Sequence, residues 1–227
     1  MWYNLRTMGA AAFFDVDFTL ISESSMRLYV KYMIPRGEFS RWDLVRGSYY
    51  TARYKLGLLD FENMADRATE RYAGQPEQHM IDLCRHWFEE MVVRYIYPEA
   101  RELIERHGGQ GDALCLLSAA THYLLEPMAR HLHIARYYGN RLEVKDGLFT
   151  GRMMRPLCYG AGKLHYAELL ARELGVSLKD CAYYSDSITD LPVLAAFGQP
   201  VAVNPDRLLA RQAKARGWPI LRFSRSK

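Results

Sequence analysis

The chain has 227 residues, 49% of them hydrophobic and 25% charged, long enough for one large domain or one domain with a modest insert and apolar enough to bury a sizeable core. Its formal charge of +4 and pI near 8.8 come from scattered arginines with no long basic run, which suits anionic substrates and argues against nucleic acid as a partner. Cys84, Cys115, Cys158 and Cys181 lie far apart with no CxxC pair, which argues against a disulfide framework or zinc site. No segment reaches the length of a membrane span and the N-terminus lacks the pattern of a signal peptide, so a cytoplasmic protein with no membrane partner is expected.

An apolar run over 9–16 reads as a strand buried on both faces. From 23 to about 95 there is no convincing strand, and the pattern reads as about four helices. Breaks fall at Pro35-Arg36-Gly37, at 57–60 and at Gly74-Gln75-Pro76. Asp60 is placed to N-cap a helix starting at Phe61, and Ile81, Cys84, Phe88, Met91, Val92 and Tyr95 recur at one-face spacing. Beyond Pro98 strands and helices alternate, with a helix over 99–107, a strand over 113–117 and a helix over 123–132. Segments 141–145 and 148–152 read as a hairpin around Asp146-Gly147. Leu164, Ala167, Leu170, Ala171 and Leu174 mark one face of the next helix, before strands over 181–184 and 200–203, a helix from Asp206 and a last strand over 219–222. A strand, a long helical insert and repeated α/β units predict a Rossmann-like three-layer α/β core with a mainly parallel sheet and an inserted helical cap. The core takes 1–21 and 97–227, the cap 22–96.

Four motifs carry chemistry. Phe13-Phe14-Asp15-Val16-Asp17-Phe18-Thr19-Leu20 ends a buried strand in two acids, a costly arrangement unless their charge is compensated. The carboxyl ends of parallel strands face the ligand crevice, so the pair suits a nucleophile, a nearby acid/base and a hard metal ion; turn and capping aspartates are the plainer reading. Leu116-Leu117-Ser118-Ala119-Ala120-Thr121 offers a hydroxyl and backbone N–H groups to a phosphate oxygen, though Ser is also a common N-cap. Gly160-Ala161-Gly162-Lys163 precedes an amphipathic helix and could set a fixed positive charge beside a phosphate, without the spacing of a Walker loop. Tyr184-Ser185-Asp186-Ser187-Ile188-Thr189-Asp190 delivers a further acid at a strand end. If a helix starts at once, Asp186 and Asp190 share a face of its first turn, where helix capping would also favour acids. All four fall at strand ends or helix starts, and in a parallel sheet those ends converge on one edge.

In this order the motifs closely resemble the haloacid dehalogenase (HAD) superfamily of phosphohydrolases. The tail Val201-Ala202-Val203-Asn204-Pro205-Asp206 with Arg216-Gly217-Trp218-Pro219, and the hairpin residues 143–151, look like its phosphoserine-phosphatase-like branch, subfamily IB, with a mobile helical (C1-type) cap. The resemblance implies that Asp15 is the nucleophile, forming an aspartyl-phosphate, and Asp17 the general acid/base. Ser118 and Ala119 would bind the phosphoryl group, Lys163 would stabilise its charge, and Thr19 would hold the loop. Mg²⁺ would be bound by Asp15, the Asp17 backbone carbonyl and Asp186, with Asp190 supporting the metal site or orienting Lys163. Asp17 must be protonated when turnover starts, so burial and bound phosphate are expected to raise its pKa. The expected function is Mg²⁺-dependent hydrolysis of a small-molecule phosphomonoester. One departure bears on substrate. Phosphoserine phosphatases carry Glu nine residues after the nucleophile, where this chain has Ser24 beside Glu23. Another is Phe18, where Gly or Ser is commoner.

Phosphoserine phosphatase proper and, from another class, a phospho-acceptor or binding protein without turnover are the alternatives. Sequence leaves oligomeric state open. His131 and His133 read as a solvated helix end, and His122 as a cap or a substrate contact. The aromatics Trp42, Tyr49, Tyr50 and Tyr54 read as packing, and Arg46, Arg53 and Lys55 as a solvated helix face.

Overall fold

The computed structural model of the chain describes residues 10–55 and 61–224. In chain order, β1 (Ala11–Phe14) is followed by α1 (Ser25–Met33), α2 (Arg41–Lys55), α3 (Phe61–Glu70) and α4 (Glu77–Glu90). Then come α5 (Pro98–Gln110), β2 (Ala113–Thr121), α6 (His122–His131), β3 (Arg136–Asn140), β4 (Leu142–Lys145) and β5 (Leu148–Met153). The chain continues through α7 (Gly162–Leu174), β6 (Ala182–Ser185), α8 (Leu191–Ala196), β7 (Gln199–Val203), α9 (Arg207–Arg216) and β8 (Ile220–Leu221).

Six strands form one sheet in the order β3-β2-β1-β6-β7-β8, every pairing parallel. β1 lies at its centre and is buried at all four positions, which is why it reads as a continuous apolar run. Its side chains alternate between two apolar layers. Phe14 and Ala12 face a layer completed by α4, α5 and α6, and Phe13 and Ala11 face one completed by α7, α8 and α9. Phe13 meets Phe197 edge-on at 5.1 Å between centroids, and Phe14 stacks on Tyr184 at 5.1 Å. Burial of this kind contributes roughly 25 cal/mol per Å² of apolar surface removed from water, and it makes the central strand the stiffest support available to the residues at its end. The architecture is the expected α/β core with a mainly parallel sheet.

The helical segment leaves and rejoins this core at one place. Ser22 N–H donates to the Tyr95 carbonyl at 2.8 Å and Tyr97 N–H to the Leu20 carbonyl at 2.9 Å, so the two crossings run side by side. α4 packs Cys84, Trp87 and Phe88 into the same apolar layer as Phe14, and α1 and α2 pack on each other.

Several elements differ from expectation. β3 was not expected, because Arg136-Tyr137-Tyr138-Gly139-Asn140 shows neither alternation nor an apolar run. It pairs only with β2 at the sheet edge, and there Gly139 is required, since a Cβ would lie 2.5 Å from the Ala120 carbonyl oxygen. β2 runs four residues past its expected end, carrying Ser118 inside the strand. β8 is only two residues long. The hairpin of β4 and β5 forms a separate two-stranded sheet. A 3₁₀ turn, Ile188–Asp190, precedes α8, so Asp186 lies in a loop and does not share a helix face with Asp190. Trp42, Tyr49 and Tyr50 are exposed, which overturns their reading as packing residues. Asp60, expected as an N-cap, lies outside the described residues, as do the side chains of Tyr54 and Lys55.

Candidate active site

The register of the sheet sets the site. Phe14 is level with Leu116 on one side and Tyr184 on the other, so Asp15 leaves the end of β1 between the chain leading to Ser118 and the chain leading to Asp186. Asp15 N–H donates to the Tyr184 carbonyl at 2.9 Å, which ties the nucleophile candidate to the neighbouring strand. Beyond it, Thr19, Leu20 and Ile21 N–H groups all reach back to the Val16 carbonyl at 2.9–3.2 Å. This tight loop places Phe18 at φ 58°, a left-handed conformation that costs a side-chain-bearing residue about 1–2 kcal/mol.

Lys163 joins two acids. Its Nζ lies 2.9 Å from Asp15 Oδ1 and 2.7 Å from Asp190 Oδ2, and the side chain is 0% exposed. The loop permits this because a Cβ on Gly162 would lie 2.2 Å from the Leu157 carbonyl oxygen. Close backbone approach there holds the first turn of α7 against the loop that precedes it. Burial opposes the ammonium charge, but the Asp15 and Asp190 carboxylates hold the Lys163 pKa well above the usual lysine range. Burial in turn pushes the Asp15 carboxyl upward, and Lys163 pulls it back.

Asp190 Oδ2 accepts from Lys163 and also from Tyr183 Oη at 2.6 Å and Ser185 Oγ at 2.8 Å. Three donors on one oxygen fix Asp190, and through it Lys163. Neither Tyr183 nor Ser185 was singled out from sequence, although an apolar strand with two hydroxyls beside the acid motif was the available signal. Asp186 is buried, and its loop is braced by Asp206. The Asp206 N–H donates to the Asp186 carbonyl at 2.9 Å, while Asp206 Oδ2 accepts from Ile188 N–H at 2.8 Å.

On the other side of β1, Ser118 is buried, and its Oγ accepts from Ala120 N–H at 3.2 Å. Asn140, also missed from sequence, links this segment to the lysine loop. Its Nδ2 donates to the Ala119 carbonyl at 2.7 Å and its Oδ1 accepts from Cys158 N–H at 2.8 Å. His131 bonds Arg101 at 2.8 Å, away from the acids. A cleft of about 630 Å³ between α3 and β5, lined in part by Asp66, Glu70 and Arg155, shares no residue with the acid cluster.

Asp17 follows the chain into the helical segment. Both of its carboxylate oxygens accept from Ser25, Oδ1 from the backbone N–H and Oδ2 from Oγ, each at 3.0 Å. Burial first, and then the charge of Asp15, push its pKa up to about 7.

Asp15 Oδ2 and Thr19 Oγ1 are buried without a hydrogen-bond partner. A buried carboxylate oxygen with no donor is a costly state, and a hard cation would relieve it. No group of three His, Cys, Asp or Glu side chains forms a metal cage among the described residues. Mg²⁺ does not require one, since it keeps several waters and takes one or two carboxylates plus substrate oxygens. Asp15, Asp186 and a backbone carbonyl fit that donor set.

Residues 12–195 match the family model for haloacid dehalogenase-like hydrolases. The chain belongs to that family. Two relatives from Mycobacterium tuberculosis are each 35% identical to it. One, a probable phosphatase, aligns over 95% of this chain and 76% of its own length. The other, a phosphoserine phosphatase, aligns over 94% and 71%. A crystal structure of a protein of unknown function from Bordetella pertussis superposes with a TM-score of 0.83 at 25% identity, covering 95% of this chain and 99% of that one. The HAD chain is therefore an enzyme of the hydrolase class.

Proposed function

We propose that this HAD enzyme hydrolyses a small-molecule phosphomonoester through an aspartyl-phosphate on Asp15, with Asp17 as general acid and base and Mg²⁺ as cofactor. The observation that carries the reading is Asp15 itself. It is buried at the carboxyl end of the central strand, with one oxygen on Lys163 and the other without a partner. A carboxylate held in this way can present a lone pair to phosphorus while the adjacent ammonium offsets the charge of the incoming dianion. The phosphatase names of its relatives support the same chemistry.

In the first step Asp15 attacks phosphorus. The ester P–O bond breaks, and its electron pair leaves on an oxygen that takes the proton of Asp17. In the second step a water attacks the same phosphorus, gives its proton to Asp17, and releases inorganic phosphate and the Asp15 carboxylate. A carboxyl group with a pKa of about 7 is suited to both transfers near neutral pH. Ser118 and the N–H of Ala119 would hold phosphoryl oxygens, Lys163 would balance their charge, and Asp190 would keep Lys163 in place. Asp15, the Asp17 carbonyl and Asp186 would hold Mg²⁺, which when bound supplies positive charge to the phosphoryl oxygens. We also assign 22–96 as a cap over a core of 1–21 and 97–227, closing to exclude bulk water. A cytoplasmic location belongs to the same proposal, supported by four buried free cysteines.

Ser24 and Glu23 favour a substrate other than phosphoserine. Ser24 is buried, and Glu23 is engaged locally, by Ser24 N–H at 3.0 Å and Arg27 at 3.3 Å. Phosphoserine phosphatase proper is the second reading, favoured by the relative of that name.

Assay of 4-nitrophenyl phosphate with Mg²⁺ tests the proposal. Asp15→Asn is expected to lower kcat on the order of 10⁴-fold or more, and EDTA to silence the wild type. Unaltered turnover in either case would reject it. A stable phosphorylated protein that releases no phosphate would instead identify a phospho-acceptor.

A further inference from the structure

Ser25 is the first residue of α1 and lies on the far side of the crossing from the core, yet both of its donors go to Asp17. The side chain is buried. The two residues are brought together by the loop between them, in which Asp17 bridges Ile21 and Ile21 bridges Ile96 at the return crossing. α1 has no acidic residue in its first turn, and its N-cap Ser24 makes no side-chain capping bond. Asp17 thus takes the place of a capping acid supplied from the core.

We infer that Ser25 is a positioning residue for Asp17, holding its carboxyl plane through one bond to each oxygen. This rests on the role proposed for Asp17. A backbone N–H can only donate, so it anchors Oδ1 whatever the state of the carboxyl group. The Ser25 hydroxyl serves both states. It donates to Oδ2 of the carboxylate and, being a hydroxyl, can also accept. Proton and electron pairs balance at each turn: the Asp17 O–H bond breaks as the leaving oxygen is protonated, and re-forms as the attacking water loses a proton. Without the hydroxyl, Asp17 keeps one anchor and can rotate about its terminal torsion, which is broad for a carboxyl group.

Leaving-group dependence separates positioning from mere helix capping. An alkyl alkoxide needs a proton to depart, whereas 4-nitrophenolate does not. Ser25→Ala is expected to slow steady-state turnover of an alkyl phosphate such as glycerol phosphate about tenfold. With 4-nitrophenyl phosphate it should keep the wild-type rate of the pre-steady-state nitrophenolate burst, followed by slower release of phosphate. Ser25→Thr, which restores a hydroxyl, should recover the alkyl rate. If Ser25→Ala leaves alkyl turnover unchanged, or lowers the aryl burst equally, while Asp17→Asn still blocks alkyl turnover, Ser25 only caps α1 and the inference fails with the proposed function intact. If Asp17→Asn itself turns over alkyl phosphate at the wild-type rate, the proposed function fails and takes the inference with it.

Discussion

The two acids that leave β1 are held in opposite ways. Asp15 is bound into the core, where Lys163, Asp190, Tyr183 and Ser185 form a buried chain of charge and hydroxyl contacts. Asp17 is held by Ser25, at the start of the helical segment. The first arrangement is rigid because every donor comes from the sheet or from the first turn of α7. The second depends on a helix that joins the core through two crossings. In the proposed mechanism the nucleophile must be aimed before substrate arrives, and a preorganised charge network suits this. The proposed general acid must exchange protons with leaving group and water, and hydrogen bonds to a neutral serine hold it without an opposing cation.

Breaking the core network should have the largest effect. Lys163→Met keeps the apolar stem but leaves Asp15 and Asp190 buried without their cation. Loss of one partner of a buried pair costs about 3–5 kcal/mol, so a marked drop in the denaturation midpoint is expected. A fall in kcat on the order of 10³-fold should accompany it. A stable, active Lys163→Met enzyme would show that the network is not what aims Asp15.

The acid held by the helical segment should respond through pH instead. The Asp17 pKa is about 7 in the folded chain against an ordinary value of 3.8, so between these limits the folded form binds the extra proton. Its stabilisation is complete below the lower value and is lost as pH rises through the upper one. Asp17→Asn removes this dependence. In EDTA, the melting temperature of Asp17→Asn relative to wild type should rise between about pH 5 and about pH 8, then level off. A difference that stays flat with pH would show that Asp17 is not the group burdened by burial.

Much of the core was legible because buried parallel strands leave continuous apolar runs. The runs ending at Asp15 and at Asp186 needed only that pattern and the rule that strand ends converge. β3 was illegible because an edge strand carrying Gly139 between tyrosines and asparagine has no pattern to read. The reason for that glycine is a backbone contact with Ala120, visible only in three dimensions. Tyr183, Ser185 and Asn140 were missed for a related reason. A hydroxyl or amide within a strand signals nothing until its partner is known, and here the partners lie 7, 5 and 21 or 18 residues away. Ser25 was missed because an N-terminal helix serine already has an ordinary explanation.

Tyr183→Phe sharpens the core side of the comparison by removing a single hydroxyl. Asp190 Oδ2 would keep Lys163 and Ser185, while Lys163 would lose its 3.2 Å contact with Tyr183 Oη. The expected cost is about 1–2 kcal/mol in stability, with less than about a tenfold loss in kcat. A loss as large as that of Lys163→Met would mean that the hydroxyl, and not the ion pair, governs the position of the ammonium.

The smallest effect is expected at α2. Trp42 is 76% exposed and Tyr49 56% exposed, and Tyr49 is partnered by Arg53, whose Nη1 donates to its hydroxyl at 3.1 Å. An exposed side chain removes little apolar surface from water, so truncating it should change stability by no more than about 0.5 kcal/mol. Yet α2 packs against the turn that carries Asp190, which places the helix over the site even though these side chains point into solvent. Trp42→Ala should therefore leave both the melting temperature and kcat/KM for 4-nitrophenyl phosphate at wild-type values. A raised KM with unchanged kcat would mean that the helix turns this aromatic face toward substrate when the segment closes. The two regions would then differ in timing, with the core built before binding and the helical side completed by it.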